Sequence, residues 1–372
     1  MADVTAGSDR SGTAEAKKSK KPANTAFKQQ RLPAWQPVMT AKSVIPTFFI
    51  IGIIFVPIGA VLFTTSQAVQ ELVIDYTENG TCHDCAETLN TSAAHDSSYV
   101  PCNCSLNFTL DSAFKGPVYM YYGLDNFYQN HRRYVKSRDD VQLLGEVRTL
   151  TGLTELSTDC NPYRTIESGG TEMLVAPCGA IANSLFNDTL TLKYESTTVE
   201  LDYKGIAWPT DKSSKFKNPP YTKDLCDAEA FKNTIKPPNW PKHVCELDTS
   251  DPDNNGYQNE DLIVWMRNAA LPSFRKLYRK IKPSDTFENG GLPAGNYVLE
   301  IEYNYPVTVF GGRKKMILST VSWIGGKNSF LGIAYITVGV ICLLLAVMFL
   351  VIWCRTKKNQ ETLEITNKTN FN

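Results

Sequence analysis

Eight cysteines, Cys82, Cys85, Cys102, Cys104, Cys160, Cys178, Cys226 and Cys245, carry the densest potential chemistry in this sequence. Cys82-x-x-Cys85 and Cys102-x-Cys104, with His83 beside them, offer the ligand types of a zinc site. Oxidation is the competing chemistry. A cysteine-rich cluster in an oxidising compartment forms disulfides, and the even count suits pairing, so no metal is expected. In an antiparallel pair the sum of facing residue numbers is nearly constant. That favours a nested ladder, Cys82 with Cys104 and Cys85 with Cys102, over a crossed one. Cys160 with Cys178 closes a short loop, and Cys226 with Cys245 remains.

Other candidates fall away on inspection. Asp251, Asp253, Asn255 and Gly256 match the first half of a calcium loop. The twelfth position, where a bidentate Glu belongs, is Leu262, so the segment reads as an Asx-rich turn. Asp211-Lys-Ser-Ser lacks the Thr-Gly of a phosphorylated Asp-Lys-Thr-Gly site, and no phosphate loop accompanies it. Among the usual catalytic signatures neither His-Glu-x-x-His, Gly-x-Ser-x-Gly nor a Walker loop occurs. No catalytic residue and no cofactor are expected. The run His131-Arg132-Arg133, Lys136, Arg138, Asp139 and Asp140 reads as a solvated face, or as a dock for an acidic loop or lipid headgroups. Lys plus Arg and Asp plus Glu both total 38, and this zero formal charge argues against nucleic-acid binding.

The elements that must position these residues begin with two apolar stretches. Residues 44–64 and 330–353 contain no charged side chain. Each has about the 20 residues that cross ~30 Å of hydrocarbon, so both are expected to span a membrane. The first starts too far from Met1 and is too long for a cleaved signal peptide. Lys17, Lys18, Lys20, Lys21, Lys28, Arg31 and Lys42 precede it, so residues 1–43 form a cytosolic tail. Arg355, Lys357 and Lys358 follow the second span, making residues 354–372 a second cytosolic tail. Residues 65–329 then lie on the outer or lumenal side, enough chain for a large domain with its own core. The sequons at Asn79, Asn90, Asn103, Asn107 and Asn187 all fall there.

The outer domain reads as mainly β, an antiparallel sandwich with inserted loops and one or two helices. Residues 114–122, 189–194, 297–310 and 316–323 are rich in aromatic and β-branched side chains between turn residues. Residues 260–281 show near-helical spacing, with Pro272 expected to break or kink the helix. Gly325, just ahead of the second span, and Gly332, Gly339 and Ala346 within it recur every seventh position, and Gly52 and Gly59 of the first span and Ser66 just past it do the same. Small residues on one face admit a close helix. The expectation is that Gly332, Gly339 and Ala346 form the seam for a helix of a partner protein. The alternative is that the two spans pack only on each other.

Several segments together resemble one family. They are 24–37, Tyr121-Tyr-Gly-Leu-Asp-Asn-Phe-Tyr-Gln-Asn-His-Arg-Arg133, Ala176-Pro-Cys-Gly-Ala-Ile-Ala-Asn-Ser-Leu-Phe-Asn-Asp188, Lys217-Asn-Pro-Pro220, 251–279 and Trp323-Ile-Gly-Gly-Lys-Asn-Ser-Phe-Leu-Gly-Ile-Ala-Tyr335. The family is the cell cycle control protein 50 family, the accessory (beta) subunits of type-IV P-type ATPase phospholipid flippases. The resemblance implies a sandwich-like outer domain capping the ATPase's outer loops, in a heterodimer whose other chain performs the ATP chemistry. It implies that aminophospholipids move from the outer to the inner leaflet. It also implies that the accessory chain is needed for exit from the endoplasmic reticulum and for activity, with residence in the endoplasmic reticulum, Golgi, secretory vesicles and plasma membrane. It supports the pairs Cys82–Cys104, Cys85–Cys102 and Cys160–Cys178 and glycans at Asn107 and Asn187. The sequence departs from the family pattern at Pro209, where relatives usually carry a second Trp after Trp208, and at Cys226 and Cys245. Two rival readings share the two-span layout, a ligand-gated channel and a scavenger-type lipid receptor. A channel needs polar residues along one face of its second helix, and this one offers Gly332, Thr337, Gly339 and Cys342.

Overall fold

The computed structural model describes residues 21, 23–32, 40–91 and 102–369. Trp35 of the N-terminal segment and Ser92 of the Asn90 sequon lie outside the described residues. The helices are α1 (Ala41–Gln67), α2 (Cys82–Thr91), α3 (Arg132–Lys136), α4 (Asp140–Leu143), α5 (Ala180–Asn183), α6 (Pro209–Ser214), α7 (Glu260–Met266) and α8 (Phe330–Thr369). The strands are β1 (Glu71–Asp75), β2 (Cys102–Leu110), β3 (Val118–Asp125), β4 (Thr165–Ser168), β5 (Thr171–Val175), β6 (Thr189–Tyr194), β7 (Thr197–Thr198), β8 (Leu201–Asp202), β9 (Thr234–Ile235), β10 (Phe274–Ile281), β11 (Gly295–Tyr303) and β12 (Arg313–Thr320). Two helical segments, Ala41–Gln67 and Phe330–Lys357, are long and apolar enough to cross a membrane. The protein is a two-span membrane protein with a mainly-β domain between the spans.

Phe55–Thr337 form one compact unit. Its sheets follow the order β1-β12-β3-β10-β8 and β2-β11-β6-β7, with a small third sheet β4-β5-β9. All the pairs in the two large sheets are antiparallel. Period-two alternation sets the faces. Met120, Tyr122, Leu124, Met316 and Leu318 point inward from the first sheet, and Leu106, Leu190, Leu192, Leu299 and Ile301 from the second. Together they belong to one continuous core. A satellite core gathers around Cys160 and Cys178, with Leu156, Leu174 and Val175.

Residues 260–281 depart from the helical expectation. Asn259 caps α7, its side chain accepting the Leu262 N–H at 3.1 Å. The helix ends at Met266 and, beyond Pro272, the chain becomes strand β10. Pro272 therefore separates two elements instead of kinking one. Lys276 and Tyr278 are buried in strand phase, and a bulge between Leu277 and Arg279 shifts that phase so that Ile281 is buried next.

Candidate functional site

The structure joins Cys82 to Cys104, Cys85 to Cys102, Cys160 to Cys178 and Cys226 to Cys245. The first two bonds are nested, but they do not join two strands. Cys82 and Cys85 lie one turn apart on α2, and Cys102 and Cys104 two residues apart on β2. Both spacings put side chains on one face, i and i+3 in a helix, i and i+2 in a strand. Thr81 ties the helix start to β2, its hydroxyl accepting the Ser105 N–H at 3.0 Å. Among the described residues no group of three or more His, Cys, Asp or Glu side chains is arranged to hold a metal. The Asp251 segment is a series of capped turns. Asp251 caps Pro252–Asn254 and pairs with Lys204 at 2.6 Å, while Leu262 is fully buried.

Two of the sequons lie on one sheet face and a third borders it. Asn103 and Asn107 point outward from β2, and Asn187 immediately precedes β6. Asn79 is exposed ahead of α2, and Asn90 lies on α2. Asp188, the middle residue of the Asn187 sequon, is fully buried with Lys314, their charged atoms 2.6 Å apart. Its other oxygen accepts the Asn304 and Tyr305 N–H groups, each at 2.7 Å. The Tyr76 hydroxyl donates to Asp188 at 2.9 Å, and the Lys314 amine donates to the Tyr305 carbonyl at 2.7 Å. Burying both charges is tolerable because each is paired and further hydrogen-bonded. Burial pushes the Lys314 amine down to about 8, against the pull of Asp188.

The charge run splits into two roles. His131, Arg132, Arg133 and Lys136 are exposed at α3. Asp139 instead is buried. It caps α4 and binds Arg148 at 2.8 Å and the Ser157 N–H at 2.8 Å. Arg138 pairs with Asp140 at 2.9 Å.

The small-residue seam corrects an expectation. A Cβ added at Gly332 would stand 2.7 Å from the Phe63 nitrogen and 2.8 Å from its Cα. One added at Gly59 would stand 2.7 Å from the Ile336 side chain and 3.0 Å from the Gly332 carbonyl oxygen. In the other unit, residues up to Ile54 and from Val338, a Cβ at Gly52 would stand 2.5 Å from Leu343 and 3.0 Å from the Gly339 oxygen. Ala346 is fully buried there. The face bearing Gly332, Gly339 and Ala346 is therefore closed by this chain's own α1, and a partner's helix cannot also lie in it. Small residues signal a close approach without saying whose helix approaches.

A cleft of ≈ 390 Å³ opens beside β10, walled by Trp208, Ile263, Arg267, Arg275 and Leu277 among others. The Arg267 guanidinium lies over the Trp208 ring, 4.5 Å from its centroid, and pairs with Asp211 at 3.3 Å. Arg275 lies over Tyr121 at 5.2 Å and pairs with Glu71 at 2.5 Å. Lys276 is buried behind them. Its amine donates to the carbonyls of Val264, Trp265 and Arg267 at 2.8, 2.7 and 2.5 Å, closing the C-terminal end of α7. Burial pushes this amine down to about 7, with Arg267 adding to the effect.

Comparison with known proteins decides the family. Residues 62–359 match the LEM3 (ligand-effect modulator 3) / CDC50 family. The chain belongs to the CDC50 family. It is 55% identical to bovine cell cycle control protein 50A over 94% of this chain and 93% of that one. It is 46% identical to human cell cycle control protein 50B, covering 94% of this chain and 98% of the relative. An Arabidopsis thaliana protein named ALA-interacting subunit 3 is 41% identical over 95% of this chain and 92% of its own length.

Within this CDC50-family chain, sequence reasoning missed the two buried lysines and the cleft. Lys314 sits in Arg313-Lys314-Lys315, which reads as a cationic flank of the second span. Its phase with Met316 and Leu318 is the signal that it points inward. Lys276 is likewise in phase with Tyr278. Trp208, whose neighbour Pro209 marks the departure from the family pattern, is 60% exposed, and Pro209 opens α6.

Proposed function

We propose that this chain is the non-catalytic accessory subunit of a type-IV P-type ATPase. The two form a heterodimer that moves aminophospholipids such as phosphatidylserine from the outer to the inner leaflet. The observation that carries the reading is family membership spanning most of the chain, together with a relative named for its interaction with another protein. The ATP chemistry belongs to the partner. The mainly-β domain faces outside or the lumen and caps the partner's outer loops, and both termini lie in the cytosol. Its disulfides and its exposed sequons at Asn79, Asn103 and Asn107 suit that side. The accessory chain stabilises the ATPase and supports its exit from the endoplasmic reticulum. In the channel reading the Gly332–Gly339 face would line a pore, but α1 fills it.

The test is extraction of the full-length protein in a mild detergent and identification of co-purifying chains. A type-IV P-type ATPase in equal amount is the expected result, and aminophospholipid uptake should fall when the accessory chain is depleted. Endoglycosidase should lower its mass, and a C-terminal tag should resist reagents added outside intact cells. Recovery without any P-type ATPase, or an externally labelled C-terminal tag, sinks the reading.

A further inference from the structure

The two outer faces of the sandwich differ in kind. The face of β2, β11 and β6 is polar, with Asn103, Ser105 and Asn107 on β2, Thr189 and Thr191 on β6, and Glu300 on β11. Two sequons open directly on it and a third begins beside it, so glycans there would hold that face in water. The face of β1, β12, β3 and β10 is unlike it. Val73 is 47% exposed there, beside the partly exposed Tyr121 and Leu277. Three pairs of its charges are already matched, Arg275 with Glu71, Arg313 with Asp75, and Lys315 with Asp125. Paired charges cost less to cover with protein than lone ones.

The cleft at β10 adds recognition to this face. Trp208 is an exposed aromatic anchor of the kind that dominates interfaces when covered. Stacking on Trp208 and the Asp211 contact already hold Arg267 in place, so docking would cost little side-chain entropy. Arg267 uses one nitrogen, Nη1, on Asp211, and its others have no protein acceptor among the described residues. The Asn268 Oδ1 atom, in the cleft wall, is buried without a donor. The cleft thus presents guanidinium donors and an unmet acceptor together. An incoming polypeptide supplies both complements, a carboxylate for Arg267 and an amide N–H for Asn268. A phosphate group supplies acceptors alone. Asp211, the single carboxylate of the lining, is shared by Arg267 and Lys215, so one positive charge is left over there, which favours an acidic visitor.

We infer that this cleft and the charge-paired, partly apolar sheet face beside it receive an outer loop of the ATPase, a segment with an acidic side chain next to an apolar or aromatic one. The inference rests on the accessory-subunit reading and assigns its docking face; the opposite, sequon-bearing face stays free.

The experiment uses the full-length chain co-expressed with a type-IV P-type ATPase. Benzoylphenylalanine in place of Trp208 is photo-activated in membranes, and the adduct is identified by mass spectrometry. A peptide from an outer loop of the ATPase is expected. In parallel, Arg267→Glu should lower ATPase recovery at least tenfold, while Thr191→Arg on the polar face should stay within twofold of wild type. A lipid adduct, a second copy of this chain, or no adduct while the ATPase co-purifies overturns the inference. So does full recovery with Arg267→Glu. An unchanged unfolding temperature shows that Arg267→Glu still folds; if it does not fold, the adduct at position 208 decides. Wild-type protein that recovers no ATPase at all defeats the accessory-subunit reading itself, a result distinct from docking on another face.

Discussion

Replacing Gly332 with leucine puts an isobutyl group where even a Cβ has no room. The added Cβ would lie 2.7 Å from the Phe63 nitrogen and 2.8 Å from its Cα, against the ~3.5–4.0 Å of an ordinary contact. The obstacle is backbone, so no side-chain rotation relieves it, and the two helices must separate. Overpacking of this kind costs about 1–3 kcal/mol. Helix propensity works the other way, favouring leucine over glycine by about 1 kcal/mol, so the net loss should be up to about 2 kcal/mol. At roughly 2–4 °C per kcal/mol for a large domain, purified full-length Gly332→Leu should unfold a few degrees below wild type in the same detergent, with no ATPase present. Val340→Leu is the control, because Val340 is 42% exposed, and it should unfold like wild type. The decisive contrast is with a seam built for a partner. If Gly332→Leu alone unfolds at the wild-type temperature yet fails to recover the ATPase, the packing of α1 on α8 argued above is wrong.

Three further outcomes follow from the outer domain. Loss of one disulfide commonly costs about 2–5 kcal/mol. Cys82–Cys104 and Cys85–Cys102 are nested, so either one still closes nearly the same loop when the other is cut. Cys82→Ser should therefore lower the unfolding temperature less than Cys160→Ser, and equal losses would refute the redundancy. Lys314→Met leaves Asp188 buried without its cation, a loss of about 3–5 kcal/mol. Adding Asp188→Asn should recover part of it in a double-mutant cycle, and strictly additive losses would show that the two do not interact. Burial tends to raise the Glu260 carboxyl, but the Ala207 N–H at 3.0 Å and the Lys212 amine at 2.9 Å leave it below the usual glutamate range. Its contribution is thus present above the ordinary glutamate pKa and lost as pH falls through the lowered one. Thermal unfolding of Glu260→Gln should depend less on acid than wild type, and parallel pH profiles would count against the assignment.

How much of this could be read from the sequence depends on whether the signal was local. The two spans were legible because crossing hydrocarbon imposes length and apolarity on a continuous stretch. The mainly-β domain was legible because alternation and turn residues act over a few positions, as in β6 at Thr189–Tyr194. Residues 260–281 were misjudged because Leu277, Tyr278 and Ile281 satisfy a helical period as well as a bulged strand, and only pairing with β3 selects the strand. Lys314 and Asp188 lie 126 positions apart. Each reads as a surface charge until β12 packs over the start of β6 and excludes water from both. The glycine faces mark where a helix can come close, but van der Waals packing has the same requirement within one chain as between two. Whose helix fills the seam was decided by the tertiary structure, when β1 and β12 paired and brought Gly59 of α1 against Gly332 of α8.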